Sequence, residues 1–185
     1  MNGHYWIRCH YVDASALVKL VADDDGEKDG REDLRRYYWS HTANMYATSH
    51  SVTEALAVLK GKYKRGDIDR ETYSEYVDRF LTRTIGGNLR VEDDEEIVPI
   101  LSTVVRDESR RLIERYDIDF LDAFQLVVIM RGKFRHMVGA SQTLLISADR
   151  GLAKAALAEG LASWCCLDAS EPPRVEAPGW LRDQE

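Results

Sequence analysis

The chain has 185 residues, of which 44% are hydrophobic and 31% are charged. This balance is typical of a globular protein of about one domain and excludes a chain that is disordered throughout. The 32 acidic residues outnumber the 25 basic ones, which gives a formal net charge of −7. A protein that binds nucleic acid mainly by neutralising phosphates is usually basic, so that class is disfavoured. A nuclease built around a cluster of carboxylates is compatible with the charge.

The lack of recognisable targeting signals and the pattern of cysteines favour a cytoplasmic location. No apolar run approaches the ~18 residues that span a bilayer, and the N-terminus lacks the basic start and apolar stretch of a signal peptide. Cys9, Cys165 and Cys166 make no disulfide framework, because two of them are adjacent and the count is odd. The five histidines do not fall at zinc-ligand spacings with the cysteines. We therefore expect a cytoplasmic protein without membrane association or structural zinc.

The hydrophobic pattern predicts short strands that alternate with helices. In chain order, the first half is predicted to contain a strand at 5–12, a helix at 14–21, an acidic segment at 23–32, a helix at 32–39, a strand at 45–48 and helices at 51–64 and 69–85. The second half is predicted to contain a strand at 89–91, helices at 95–116 and 119–131, a strand at 143–147, a helix at 150–159 and a strand at 161–167. This alternation indicates an α/β fold whose mainly parallel sheet of four to five strands carries helices on both faces.

Four acidic residues are predicted to share one edge of this sheet. Asp13 ends the first strand, and Asp149 comes two residues after the strand at 143–147. Glu54 and Asp122 lie in the first turns of the helices that begin at 51 and 119. The carboxyl ends of parallel strands and the helix starts that follow them lie at the same edge, where ligands of such folds bind. The four carboxylates are therefore expected to converge there.

Each of these acids also has a purely structural explanation. Asp13 and Asp149 are suitable helix N-caps, and the pattern from Ser51 to Glu54 is that of a capping box. Asp122 would be favoured by the helix dipole. Their coincidence argues for more than capping, because carboxylates held close together repel one another. Mg²⁺ or Mn²⁺, which prefers oxygen ligands and keeps several waters, would relieve that repulsion.

Four segments of the sequence resemble the acidic blocks of PIN-domain ribonucleases. They are residues 12–19 (VDASALVK), 51–58 (SVTEALAV), 119–125 (DFLDAFQ) and 145–156 (LISADRGLAKAA). In order, spacing and flanking apolar residues they are most similar to the VapC-type toxins of bacterial toxin–antitoxin pairs. The resemblance runs from about residue 11 to residue 167. The chain is longer than the compact toxins, with the acidic segment at 23–32, extra residues at 134–142 and a tail that contains prolines.

The resemblance implies a fold, a reaction and a set of site residues. The fold would be a PIN-like three-layer α/β/α sandwich, and the reaction would be metal-dependent hydrolysis of RNA with Mg²⁺ or Mn²⁺ as cofactor. Asp13 and Asp122 would be the central metal ligands, and Glu54 and Asp149 would complete the acidic site directly or through water. Two serines could orient these carboxylates, and three basic residues could contact phosphates or simply be solvated. They are Ser15 and Ser147, and Lys19, Arg150 and Lys154.

The same resemblance implies partners. These are an RNA substrate, an inhibitory antitoxin protein and a second copy of the chain. Six aromatic residues either line a groove for the antitoxin or belong to the core: Tyr37, Tyr38, Trp39, Tyr73, Tyr76 and Phe80. The basic runs within 60–65 and 106–115 are either RNA-backbone tracks or solvated helix faces. We expect one nuclease domain at 5–168 and a poorly ordered tail at 169–185.

Three other functions were compared with the toxin. A housekeeping RNA-processing PIN nuclease would use the same chemistry without an antitoxin. A non-catalytic PIN scaffold would only bind a partner protein, but it has no need to tolerate four mutually repelling acids. A haloacid-dehalogenase-like phosphatase also begins with a strand ending in Asp, but that family requires a second Asp where this chain has Ser15. The phosphatase is therefore disfavoured.

Overall fold

A computed structural model describes residues 7–24, 29–40, 45–82, 87, 89–93, 98–132 and 142–168 of the chain. The strands are β1 (Ile7–Val12), β2 (Met45–Ala47), β3 (Leu89–Val91), β4 (Gln142–Ser147) and β5 (Ala162–Cys165). The helices are α1 (Ala14–Val21), α2 (Arg31–Ser40), α3 (Ser49–Arg65), α4 (Arg70–Arg79), α5 (Thr103–Tyr116), α6 (Phe120–Arg131) and α7 (Arg150–Ala158). The predicted alternation of strands and helices is confirmed.

The five strands form one sheet in the order β3-β2-β1-β4-β5, and every pairing is parallel. The chain first adds strands on one side of β1 and then, from β4 onward, on the other side. The order therefore reverses between β1 and β4, and crevices at the carboxyl ends of such neighbouring strands are where open α/β sheets bind ligands. The register places Val12 beside Ile146, and the Asp13 amide donates to the Ile146 carbonyl at 3.0 Å.

Alternating side chains of the central strands divide the core into two halves. Val12 and Ile146 belong to a cluster with buried residues of α1, α2, α3 and α4. Tyr11 and Leu145 belong to a second cluster with residues of α5, α6 and α7. Since successive residues of a strand point to opposite faces, the sheet is covered on both sides. The result is the predicted three-layer α/β/α sandwich.

Two predicted helix boundaries are wrong. The helix expected at 95–116 begins at Thr103, because the hydroxyl of Ser102 accepts the Val105 amide as an N-cap and Pro99 lies in the preceding turn. The helix expected at 51–64 begins at Ser49, because Thr48 is its N-cap and accepts the Ser51 amide.

The second of these changes removes the expected capping box, since Ser51 is already within the helix and Glu54 lies in its second turn. Other predictions fall on residues outside those that the structure describes: the start of the first strand at 5–6, most of the extra segment at 134–142 and the tail at 169–185. No helix among the described residues is both long enough and apolar enough to cross a bilayer.

Candidate functional site

Asp13 lies at the carboxyl end of β1, next to the end of β4. It caps α1, and its Oδ1 accepts the Ala14 amide at 2.6 Å. Its Oδ2 accepts hydrogen bonds from the amide and hydroxyl of Ser15 and from the hydroxyl of Ser147, the last at 3.0 Å. The residue is only 3% exposed. A carboxylate that accepts this many donors is held rigidly in one orientation.

The two predicted supporting serines join Asp13 to the loop after β4. The Ser15 hydroxyl accepts the Ala148 amide at 2.9 Å, and the Ser147 hydroxyl accepts the Asp149 amide at 2.8 Å. Both hydroxyls therefore have their own protons available for Asp13 while they fix the backbone that leads to Asp149. Asp149 then caps α7 by accepting the Leu152 amide at 2.9 Å.

Two further helix starts bring acids to the same edge. On α6, Asp119 is the N-cap and accepts the Asp122 amide at 2.9 Å, so Asp122 lies in the first turn as predicted. On α3, Glu54 is half-buried in the second turn. Asp122 is also half-buried, whereas Asp119 and Asp149 are exposed.

The ionisation of Asp122 and Glu54 shows that these acids lie within electrostatic reach of one another. Burial raises the pKa of Asp122 to about 8, and the charges of Asp13, Asp119, Asp149 and Glu54 add to the increase. Burial likewise raises the pKa of Glu54 to about 7, with additional contributions from Asp13 and Asp119. All four predicted carboxylates thus contribute to one electrostatic unit. Perturbed acids in a cleft are typical of functional sites, and their catalytic role stays a prediction.

Asp119 belongs to this cluster but was not among the predicted site residues. The sequence marked it only as the start of a helix, and capping does account for its carboxylate. Its influence on Asp122 is local to α6. Its influence on Glu54 depends on how the start of α3 lies relative to α6, where the rings of His50 and Phe124 are in contact. The spacing of Asp119 and Asp122, at the N-cap and third position of one helix, was the signal that could have identified it.

The donor set suits a hard divalent cation that keeps much of its water. Within the part of the chain that the structure describes, no three Asp, Glu, His or Cys side chains are grouped as a ready ligand set for a metal ion. Mg²⁺ usually takes only one or two carboxylates directly and reaches the others through water. The raised pKa values of Asp122 and Glu54 result first from burial and then from the negative charge of neighbouring acids. These oxygen ligands and their excess charge fit Mg²⁺ or Mn²⁺.

The same raised pKa values predict a pH-dependent stability of the metal-free protein. Because the folded pKa values of Glu54 and Asp122 exceed their ordinary values, the folded state binds these protons more tightly than the unfolded state. Stability is therefore lost as the pH rises from about 4 to about 8. Thermal unfolding in EDTA across this range measures the slope, and Mg²⁺ should reduce it. A double variant, Glu54→Gln with Asp122→Asn, is the control, and the same slope in both proteins would contradict this explanation.

The three predicted phosphate contacts differ in their exposure. Lys19 is 4% exposed and lies six residues along α1 from Asp13, so its ammonium offers little surface to a phosphate. Its burial argues against the predicted contact. Arg150 is exposed but donates to Asp168 at 3.1 Å. Lys154 is exposed one turn further along α7, and its contact with phosphate stays a prediction.

The predicted basic tracks are largely occupied by internal ion pairs. On α5, Arg111 forms a two-point contact with Glu159 at 2.8 Å for each nitrogen, and Arg110 pairs with Glu114 at 2.7 Å. On α3, Lys62 pairs with Asp24 at 2.8 Å. Such pairing neutralises the positive charge that an RNA backbone would need. The structure therefore favours the solvated-face interpretation.

Most of the aromatic residues considered for an antitoxin groove belong to the core. Tyr38, Tyr76 and Phe80 are at most 3% exposed and lie in the cluster beneath α1–α4. Tyr37 packs on Trp164 with ring centroids 5.2 Å apart. Trp39 alone among the six has a largely exposed side chain, at 51%. The structure therefore favours the core interpretation for most of this set.

The sequence also matches the pattern of a known protein family. Residues 10–157 match the model of the PIN domain, which is well over half of the chain and includes Asp13, Glu54, Asp122 and Asp149. The chain belongs to the PIN-domain family. This membership supports a nuclease, that is, a hydrolase that acts on nucleic acid.

Solved structures agree with the PIN fold. PAE2754 from Pyrobaculum aerophilum is 19% identical, with a TM-score of 0.52 over 84% of this chain and 88% of that one. The toxin VapC20 from Mycobacterium tuberculosis, which cleaves the sarcin–ricin loop, is 16% identical, with a TM-score of 0.51 over 79% of this chain and 94% of that one. No curated protein sequence matches the chain. At these identities the two structures establish similarity of fold.

Proposed function

We propose that this PIN-domain protein is a Mg²⁺- or Mn²⁺-dependent endoribonuclease, and that it acts in the cytoplasm as the toxin of a toxin–antitoxin pair. The observation that carries the proposal is the electrostatic coupling of Asp122 with Asp13, Glu54 and Asp149 at the β1–β4 switch point. A scaffold that only binds protein has no use for this arrangement, because burying Asp122 and Glu54 near other carboxylates disfavours the folded state at neutral pH.

The proposed chemistry assigns a role to each carboxylate. A bound cation would polarise the phosphodiester and make a neighbouring water more acidic. Asp13 and Asp122 would hold the cation, and Glu54 and Asp149 would complete the site directly or through water. One of the carboxylates that does not bind the cation directly would accept the proton of the attacking water. Ser15 and Ser147 would keep Asp13 in the orientation that binding requires.

The proposed RNA substrate and antitoxin are inferred from the similarity to VapC20, a toxin that cleaves the sarcin–ricin loop. We infer an RNA substrate, an inhibitory antitoxin protein and a homodimer. We also propose that residues 5–168 form the nuclease domain and that 169–185 are a separate tail.

Induced expression in bacteria tests the toxin role. We expect the wild-type chain to arrest growth and an Asp13→Asn variant to be harmless at the same expression level. Co-expression of the small open reading frame next to its gene should restore growth and yield a complex that purifies intact. RNA cleavage without growth arrest or a neighbouring antitoxin would instead indicate a housekeeping nuclease. Growth arrest that survives Asp13→Asn would refute the assigned site.

Ser147→Ala tests whether the hydrogen bonds to Asp13 matter for catalysis. Removing the hydroxyl leaves Asp13 with one donor fewer and frees the Asp149 amide. Losing a partner that orients a metal ligand typically costs roughly 10- to 100-fold in activity or metal affinity. The measurement is the rate of RNA cleavage as a function of Mg²⁺ concentration. Ser163→Ala is the matched control, since Ser163 is 7% exposed and its hydroxyl has no hydrogen-bond partner. Equal rates for the two variants would contradict the role of Ser147.

A further inference from the structure

Three buried hydroxyl groups meet beneath the start of α3. The Tyr11 hydroxyl, from β1, lies 3.2 Å from Thr48 Oγ1 and 3.3 Å from Ser51 Oγ, and these two oxygens lie 3.1 Å apart. Tyr11 and Ser51 are fully buried and Thr48 is 3% exposed. Three hydroxyls that are mutually within hydrogen-bond distance can satisfy one another away from water. This hydroxyl triad is therefore a buried polar contact between β1 and the start of α3.

The triad connects the two elements that carry Asp13 and Glu54. Tyr11 precedes Asp13 by two residues at the end of β1. Thr48 is the N-cap of α3, and Ser51 lies one helical turn before Glu54. A shift of α3 relative to β1 would break the contacts of the phenol and would move Glu54 away from Asp13 at the same time. The hydroxyl triad therefore lies where it can fix the separation of these two carboxylates.

The surroundings of the phenol support this placement. The Tyr11 side chain is fully buried, and its hydroxyl lies within hydrogen-bond distance of two side chains at the start of α3. Tyr38 provides an internal contrast, because it is equally buried but its hydroxyl has no hydrogen-bond partner. The tyrosine ring alone can thus fill core space in this fold, and the distinguishing feature of Tyr11 is its hydroxyl.

We propose that Tyr11, together with Thr48 and Ser51, positions Glu54 relative to Asp13. This positioning sets the affinity of the carboxylate cluster for its divalent cation. The proposal deepens the proposed nuclease function and rests on it for the role of Glu54. Tyr11 acts through α3 and touches neither substrate nor cation, so it is a positioning residue. Misplacement of a reacting group by about 1 Å can cost on the order of 100-fold in rate.

The test compares Tyr11→Phe with Tyr38→Phe in the full-length protein. Calorimetric titration with Mn²⁺ measures binding directly, without catalysis. We expect Tyr11→Phe to weaken Mn²⁺ binding by roughly 10-fold, the usual effect of losing a group that orients a ligand, and to lower kcat for RNA without changing KM. Tyr38→Phe should leave both unchanged. Ser51→Ala removes a second member of the triad and should reproduce the effect if Tyr11→Phe does not fold.

A double-mutant cycle separates positioning from general stability. If Tyr11 acts through Glu54, Tyr11→Phe should have no further effect on Mn²⁺ affinity in a Glu54→Gln background. Hydrogen exchange in EDTA should also accelerate at the amides of Ser51 and Val52, which donate to Thr48. Independent, additive effects of the two substitutions, or unchanged Mn²⁺ affinity in Tyr11→Phe, would overturn the proposal.

The same measurements distinguish this inference from the proposed function. If the wild-type protein binds Mn²⁺ in a Tyr11-dependent manner but cleaves no RNA, the endoribonuclease assignment fails and the positioning role stands. If RNA cleavage depends on Asp13 while Tyr11→Phe leaves Mn²⁺ affinity and kcat unchanged, the positioning role fails and the nuclease stands.

Discussion

Asp13→Asn is expected to abolish RNA cleavage, with a loss on the order of 10³-fold or more, as for removal of a group that stabilises charge in the transition state. Asn has nearly the same shape and is an equally good N-cap, so α1 should remain intact. The substitution removes the negative charge of the carboxylate that Ser15 and Ser147 hold in place by hydrogen bonds. The rate of cleavage of a fluorescent RNA at saturating Mg²⁺ measures the effect, and circular dichroism verifies the fold.

Asp69→Asn is the matched control for this substitution. Asp69 is also a helix N-cap, accepting the Thr72 amide at 2.8 Å. It lies beyond the far end of α3, whose 17 residues make it roughly 25 Å long at about 1.5 Å per residue. The control should therefore retain full activity. An Asp13→Asn variant that keeps more than about a tenth of the wild-type rate would remove Asp13 from the metal site.

Asp122→Asn should change activity and stability in opposite directions. Loss of a direct ligand should abolish cleavage and Mn²⁺ binding. In the metal-free protein at about pH 8, however, the variant should unfold at a higher temperature than the wild type, because it removes a half-buried charge beside Asp13, Asp119 and Glu54. Below about pH 4 Asp122 is protonated in both the folded and the unfolded state, so the difference should nearly vanish.

Thermal unfolding of both proteins in EDTA at the two pH values measures how the stability difference between variant and wild type depends on pH. Adding Mg²⁺ should stabilise the wild type and leave Asp122→Asn unchanged, since ligand binding to the folded state raises its stability. A variant that is less stable than the wild type at the higher pH would show that Asp122 is a structural acid without an unfavourable charge. A variant that still gains stability from Mg²⁺ would exclude Asp122 as a ligand.

The positions of the acids could be predicted because they depend on local sequence. Asp13 and Asp149 follow apolar strands, and Asp122 begins a helix, so each could be assigned to the carboxyl edge once the alternation of strands and helices was recognised. The start of α5 at Thr103 was missed because apolar periodicity extends upstream, whereas Pro99 and the Ser102 cap set the boundary. Local capping decides such boundaries.

Features that depend on packing between elements far apart in the chain could not be predicted from the sequence pattern. The contribution of Asp119 requires the position of α6 relative to α3, and the hydroxyl triad joins Tyr11 to residues about forty positions away. Burial of Lys19 likewise follows from the packing of α1 against its neighbours and reverses the expectation that a charged helix residue is solvated. A sequence pattern specifies which face a residue occupies, whereas partners across the core come from the tertiary structure.

The most direct test of the central claim is cleavage of total cellular RNA by the purified, antitoxin-free protein with Mg²⁺, with Mn²⁺ and with EDTA, beside Asp122→Asn. We predict defined fragments that require the metal and are absent with EDTA and with the variant, and mapping of their ends would identify the target. Cleavage that persists in EDTA would contradict the metal mechanism. No cleavage under any condition by a folded protein would contradict the nuclease and favour a scaffold.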